Sequence, residues 1–193
     1  IRRELAGIRV DLEQAHRAKT ELTQIIDQQT KQLYDAVGKK FNINSAKDMQ
    51  SVFKPKWNGT VWVTGDGDII PSTPGGKPSF SADALRDINN HVSRSIIELR
   101  SLEKTRDTFI NGHVLGNEVG GRVYPSIHQT KGEDGGTGTG RFSYSSPAMQ
   151  QIPSRNKAVA AVVKPIFLPE EGQVWVDADK HSFEVRVFAH LVN

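Results

Sequence analysis

The sequence predicts an α+β protein, with helices filling the first half of the chain and short strands entering in the second. Three observations carry this. Residues 12–37 and 92–110 keep apolar side chains at helical spacing. From Gly121 onward β-branched and aromatic residues, punctuated by glycine and proline, replace that pattern. The chain then closes on VWVDADKHSFEVRVFAHLVN, where the apolar period changes from 2 to 3.6 at Asp179 and Lys180.

The first helix is expected over Leu12 to Val37, with Leu12, Ala15, Leu22, Ile25, Ile26, Leu33 and Val37 on one stripe. Asp11 with Gln14 makes a capping-box-like start, and Gly38 a stop. A short helix follows Ser45 as N-cap, and TVWVTGDGDIIP reads as two short strands around Gly-Asp-Gly, followed by an irregular STPGGKPS loop. Two further helices are expected, one after Ser81 and a long one from Val92 to Ile110, carrying Ile96, Leu99, Leu102, Arg106 and Phe109 and ended by Gly112. The linker-like GNEVGG then marks a boundary, so that residues 1–112 form one domain and 113–193 another. GRVYPSIHQT reads as a strand and Gly135 to Gly140 as a loop. Val174 to Ala178 reads as a final strand feeding a helix with Val185, Phe188, Ala189 and Val192 on one face. No internal repeat or sustained heptad is present.

At 193 residues and 36% hydrophobic, the chain can build one substantial core or two small ones. It has no cysteine, which excludes disulfides, thiolate metal sites and cysteine nucleophiles. No stretch of about 18 apolar residues and no leader pattern is seen, so a cytoplasmic protein without membrane contact is the expectation. A chain that starts at Ile1 and stops at Asn193 inside an apolar helical pattern reads as a piece of a longer protein. The net charge of +3 is small but uneven, for no acid lies between Gly135 and Pro169, while Arg141, Arg155, Lys157 and Lys164 do. Such a stretch suits a phosphate-facing loop, and equally a solvated basic one.

A carboxylate at a strand end is well placed to hold a hard cation such as Mg²⁺. Alternation puts Asp177 and Asp179 on one face, so spacing does not choose between them, and two solvated rim acids satisfy the same pattern. The glycine run lacks the Lys followed by Ser or Thr of a P-loop, and His181 and His190 lack the spacing of a helical zinc pair. Trp57, Trp62 and Trp175 read as core or hairpin aromatics.

The segment DKHSFEVR, Asp179 to Arg186, resembles motif A of the family A DNA polymerases, D-x-S-x-x-E-x-R followed by an apolar helix ending in Ala-His. Asp179, Glu184, Arg186, Ala189 and His190 match it. TGTGRFSYSSPAMQQIPSR, Thr137 to Arg155, resembles the family's T-G-R-x-S-S-x-x-P-N-L-Q-N-I-P-x-R segment, and GIRVDLEQ, FNINS and KPSFS resemble thumb segments. The likeness therefore runs over nearly the whole chain. It implies a right-hand polymerase fold: a helical thumb over residues 1–112, then the first part of an antiparallel-sheet palm. By the same resemblance Asp179 is the catalytic carboxylate and ligand of two Mg²⁺ ions, and the carbonyl of Lys180 completes one shell. His181, Ser182, Phe183 and Glu184 face the incoming nucleotide, Glu184 as a steric gate against a 2′-hydroxyl. Thr139, Arg141, Ser143, Gln150, Gln151 and Arg155 lie along primer-template DNA, with Arg141 at the primer end, where purine N3 and pyrimidine O2 occupy similar positions in every correct pair.

Lys180 stands where the family has an aromatic, His181 where it has serine, and Ala148, Met149, Gln150 and Gln151 where it has N-L-Q-N. These departures keep the expected ligand and suggest a divergent, phage-like member. The expected activity is dNTP-dependent, DNA-templated synthesis, with this stretch inactive alone because one carboxylate cannot hold two ions. The rival readings are a single-subunit RNA polymerase, which Glu184 disfavours, and a non-catalytic nucleic-acid binding module.

Overall fold

The computed structural model describes residues 2–130, 132, 135–153, 156–176, 178 and 181–192. Two short elements that the sequence pattern does not announce come first: α1 (Arg2–Ala6) and β1 (Ile8–Val10). Gly7 joins them at φ +64, where a Cβ would stand 2.7 Å from the Tyr124 ring, so only glycine fits.

Helix α2 (Leu12–Val37) has the expected bounds. Asp11 accepts the Gln14 backbone N–H at 2.8 Å, and Gly38, at φ 76, donates to the Tyr34 carbonyl. Its 26 residues make it about 39 Å long, enough to serve two cores. Ala15, Ala18 and Leu22 pack with Val10, Ile110, Val114, Val123 and Ile166, whereas Ile26 and Leu33 pack with residues of the helices that follow. Ile25, expected on the buried stripe, is instead 42% exposed, because Ile26 alone takes the core-facing position at that turn.

Helix α3 (Ala46–Phe53) starts on Ser45, whose hydroxyl accepts from the Asp48 N–H. Strands β2 (Lys56–Trp57), β3 (Trp62–Val63) and β4 (Ile69–Ile70) form an antiparallel sheet, one strand more than expected. Trp57 lies opposite Trp62 and Trp62 opposite Ile70, so the two indoles are indeed hairpin aromatics, meeting edge to face at 5.5 Å. Helices α4 (Ala82–Ile88) and α5 (His91–Lys104) follow, capped by Ser81 and Asn90. Arg100 of α5 donates to the carbonyls of Ile43 and Phe80, tying two loops to the helix. Burial lowers its pKa from the ordinary value, yet a guanidinium stays charged.

The helix does not stop at Gly112. It continues from α5 as a π-helical segment, Thr105–Leu115, that ends before Gly116. The wide turn explains why glycine is not a breaker here: a Cβ on Gly112 would lie 3.2 Å from the Asp107 carbonyl, and its absence lets the backbone pass. The expected linker is likewise a hairpin, in which β5 (Glu118–Val119) and β6 (Arg122–Val123) are joined by Gly120 and Gly121. Both glycines hold positive φ, as a two-residue turn of this hand demands. The strand expected over GRVYPSIHQT is split into β6 and β7 (Ser126–His128), since Pro125 has no N–H to donate.

Strand β7 pairs with β8 (Ser143–Ser145). After α6 (Lys157–Val163) comes β9 (Phe167–Leu168), completing a four-stranded antiparallel sheet in the order β5-β6-β1-β9. Helix α7 (Phe183–Val192) closes the chain as the apolar spacing predicted. The strand expected at Val174 to Ala178 does not form among the described residues. A strand needs a neighbour's hydrogen-bonding edge, and Val174, Trp175 and Val176 are 79%, 63% and 83% exposed with no described strand alongside. Trp175 is thus no core aromatic; its indole N–H reaches the Phe167 carbonyl at 3.2 Å. No helix among the described residues is long and apolar enough to cross a membrane.

Candidate nucleic-acid and nucleotide site

The loop between β7 and β8 is shaped by its threonines. Thr137 donates through Oγ1 to the Arg141 carbonyl at 2.7 Å, Thr139 donates to Thr137 Oγ1 at 3.2 Å, and Gly140 turns at φ 75. This curl presents the Arg141 side chain to α7, where Nη2 bonds Glu184. Both side chains remain 70% exposed. Glu184 sits in the first turn of α7, where the unpaired N–H groups of a helix favour an anion. The approach to that helix is set by Ser182 at φ 54, whose carbonyl accepts the Arg186 N–H at 3.1 Å, while Arg186 Nε donates to the His181 carbonyl.

The residues expected to face a nucleotide divide into two sets. His181 and Phe183 line an open groove of about 480 Å³ along α7 together with Arg186, Val187 and His190. Glu184 instead turns to the Arg141 loop. Ser182 shares a 3.0 Å contact with His181 Nδ1. His181 and His190 thus border one groove, a proximity that spacing along the chain does not reveal.

Among the residues expected along DNA, Thr139, Arg141 and Gln151 are exposed, and Ser143 lies in β8 opposite His128. Gln150 is engaged at both ends of its amide, accepting from the Tyr144 N–H at 3.0 Å and donating to the Tyr144 carbonyl at 3.2 Å, which pins the turn after β8. Asp177, Asp179, Lys180 and Arg155 lie outside the described residues. Among the described residues no three His, Asp or Glu side chains converge as a metal cage.

A second basic surface escaped the sequence reading. Arg86, Arg94, Arg100 and Lys104 line an open groove of about 520 Å³ with Ile97, Glu98, Ser101 and Asn156, the N-cap of α6. Arg86 is ion-paired with Asp83 and Arg100 bonds two carbonyls, so Arg94 and Lys104 are the cations that make the groove attractive to an anion. The signal was present in α5, where Arg94, Ile97, Ser101 and Lys104 recur at helical spacing beside the buried stripe of Ile96 and Leu99. What the sequence could not supply is that Arg86 and Asn156 come to the same face.

The fold thus combines a largely helical first half, which holds a three-stranded sheet, with a four-stranded antiparallel sheet that recruits β1, and an arginine-bearing loop. The POL domain of Pol1 from M. smegmatis, solved in complex with DNA primer-template and dNTP, has this fold, with a TM-score of 0.68 and 25% identity over 88% of this chain and 28% of that one. The chain belongs to DNA polymerase family A, whose model matches residues 12–193. It is 52% identical over 192 residues to DNA polymerase DpoZ of Vibrio phage phiVC8, covering all of this chain and 30% of the relative. To DNA polymerase DpoZ of Salmonella phage PMBT28 it is 49% identical over 200 residues, covering all of this chain and 32% of the relative. The chain thus spans about a third of the length of these phage relatives.

Proposed function

We propose that the chain supplies the thumb and first part of the palm of a DNA-templated DNA polymerase, residues 1–112 and 113–193 respectively, acting on primer-template DNA and dNTPs. The observation that supports this reading is the ion pair of Arg141 with Glu184, which joins the residue proposed for the primer side to the one proposed for the nucleotide side.

In this reading the basic groove along α5 takes the phosphates of the duplex behind the primer end, with Arg94 and Lys104 as its cations. Arg141 donates to the minor-groove edge of the terminal pair and checks its geometry without reading sequence. Glu184 packs beside C2′ of the incoming sugar and leaves no room for a 2′-hydroxyl. Asp179 would hold Mg²⁺ through its carboxylate, and the Lys180 carbonyl would complete one ion's shell. When bound, such ions stabilise the charge of the attacking and leaving oxygens during in-line attack of a 3′-hydroxyl on an α-phosphate. The remaining ligands and the residues gripping the triphosphate belong to the rest of the enzyme.

Counterion release tests the groove. On duplex DNA each neutralised phosphate contributes about −0.9 to the slope of log K against log salt. In the complete enzyme, Arg94→Ala with Lys104→Ala is expected to weaken primer-template binding for all sequences alike and to reduce that slope by about 2, as anisotropy titrations would read. An unchanged slope would place the duplex elsewhere.

A further inference from the structure

The Arg141–Glu184 ion pair joins the two groups to which the proposed function gives separate tasks, and the inference rests on that reading. A guanidinium N–H bonded to Glu184 is not free to donate to a base edge, and a carboxylate held by Arg141 is not free to settle against a sugar. The two working arrangements therefore compete with the pair. We propose that the pair is a latch: in the DNA-free chain Glu184 holds Arg141, and a primer end that takes Arg141 releases Glu184 to the nucleotide side.

The surroundings suit a latch that opens easily. The Arg141 carbonyl is anchored by Thr137, so the loop backbone can stay in place while the side chain swings. Arg186, a second arginine near this turn among the described residues, has its Nε on the His181 carbonyl. Both members of the pair are 70% exposed, and ion pairs in such settings are worth at most about a fivefold change in an equilibrium. A stronger, buried pair would block the site. This one biases it.

Linkage makes the coupling reciprocal. If the duplex frees Glu184, then removing the charge of Glu184 must free Arg141 for the duplex. This separates the latch from ordinary repulsion between DNA and a nearby acid, which acts whether or not Arg141 is present.

The experiment is a double-mutant cycle in the complete enzyme, with primer-template affinity measured by fluorescence anisotropy at low salt without nucleotide. Glu184→Gln keeps the shape of the side chain and is expected to tighten binding by up to about fivefold. That gain should vanish in an Arg141→Ala background and fade as salt screens the pair. Glu98→Gln, in the groove along α5, serves as the control for general charge removal, and its effect should be the same with or without Arg141. No gain from Glu184→Gln, or an equal gain in both backgrounds, would overturn the latch while leaving the proposed function standing. Should Arg141→Ala alone leave affinity unchanged, the DNA contact assigned to Arg141 is what fails, and the latch falls with it.

Discussion

Helices α2 and α7 begin from the same kind of sequence and end in different places. Each carries apolar residues at helical spacing, and each forms where that spacing places it. Yet α2 buries Ala15, Ala18, Leu22, Ile26 and Leu33 against α5, the π-helical segment and the sheet, whereas every residue of α7 is exposed among the described residues. The contrast extends to their regions. Residues 12–115 are held by cores, with polar residues such as Arg100 serving as clamps. From residue 135 to 192 the described residues for which the resemblance implies a role lie on a loop, in β8, in the turn after it and on or just before a solvated helix. Periodicity sets local conformation, whereas burial requires a partner. Substitutions in the first region should therefore cost stability, and those in the second should cost chemistry.

The largest expected effect lies in the second region. In the role proposed for it, Asp179 would hold a cation worth several kcal/mol of charge stabilisation, so Asp179→Ala in the complete enzyme should lower turnover roughly a thousandfold or more with the melting temperature nearly unchanged. Asp177→Ala should be mild. Equal losses from both, in single-turnover assays, would mean that the resemblance picked the wrong aspartate. In the first region, Leu99→Ala at a fully buried position should cost about 2–5 kcal/mol in urea unfolding of this chain. Leu191→Ala, at a position 76% exposed, should stay within about 0.5 kcal/mol. A larger cost at Leu191 in the complete enzyme would show that other parts of the polymerase cover α7, and would sharpen the contrast into one of partner rather than sequence.

Glu184→Ala should narrow discrimination against ribonucleotides by about 1–3 kcal/mol, roughly five- to 150-fold, read as the ratio of kcat/KM for dNTP and NTP. An unaltered ratio would reduce Glu184 to the partner of Arg141. The smallest effect concerns acid. Arg122 makes two hydrogen bonds, of 2.8 and 2.7 Å, to Glu170, holding that carboxyl below its ordinary value and bracing β6 against the turn after β9. Because the folded-state pKa is the lower one, the pair stabilises the fold above the unfolded glutamate value of about 4.3, and this is lost as pH falls through the depressed folded value. Glu170→Gln should therefore lower the neutral plateau of the melting temperature slightly and leave its acid end unchanged, which flattens the acid limb. An identical acid limb in the variant would mean that the pair is too exposed to matter.

The polymerase resemblance was legible because short motifs keep residue order, and the helices were legible because capping is local. Asp11, Ser45 and Ser81 cap the helices assigned to them, and Gly38 ends the first. Failures came where a local signal was overruled at longer range. Gly112 carries a breaker's identity but lies inside a π-helical turn, and GNEVGG looks like a linker but folds back as a hairpin because β6 has β1 to pair with. Val174 to Val176 have strand composition and no strand beside them among the described residues. The basic groove along α5 was missed because Arg86, Arg94 and Asn156 share a face only after α4, α5 and α6 are packed.

What the sequence determined by itself is therefore the existence of α2 to α5 and α7, the N-caps of α2, α3 and α4, and the motif residues, since each depends on neighbours within a turn or two of the chain; α1 and α6 were not announced. The tertiary structure decided which apolar stripes are buried, where strands find an edge, and that Arg141 meets Glu184 across 43 residues of sequence. Those outcomes depend on surfaces brought together from distant segments, and neither propensity nor spacing encodes the partner that a surface will meet.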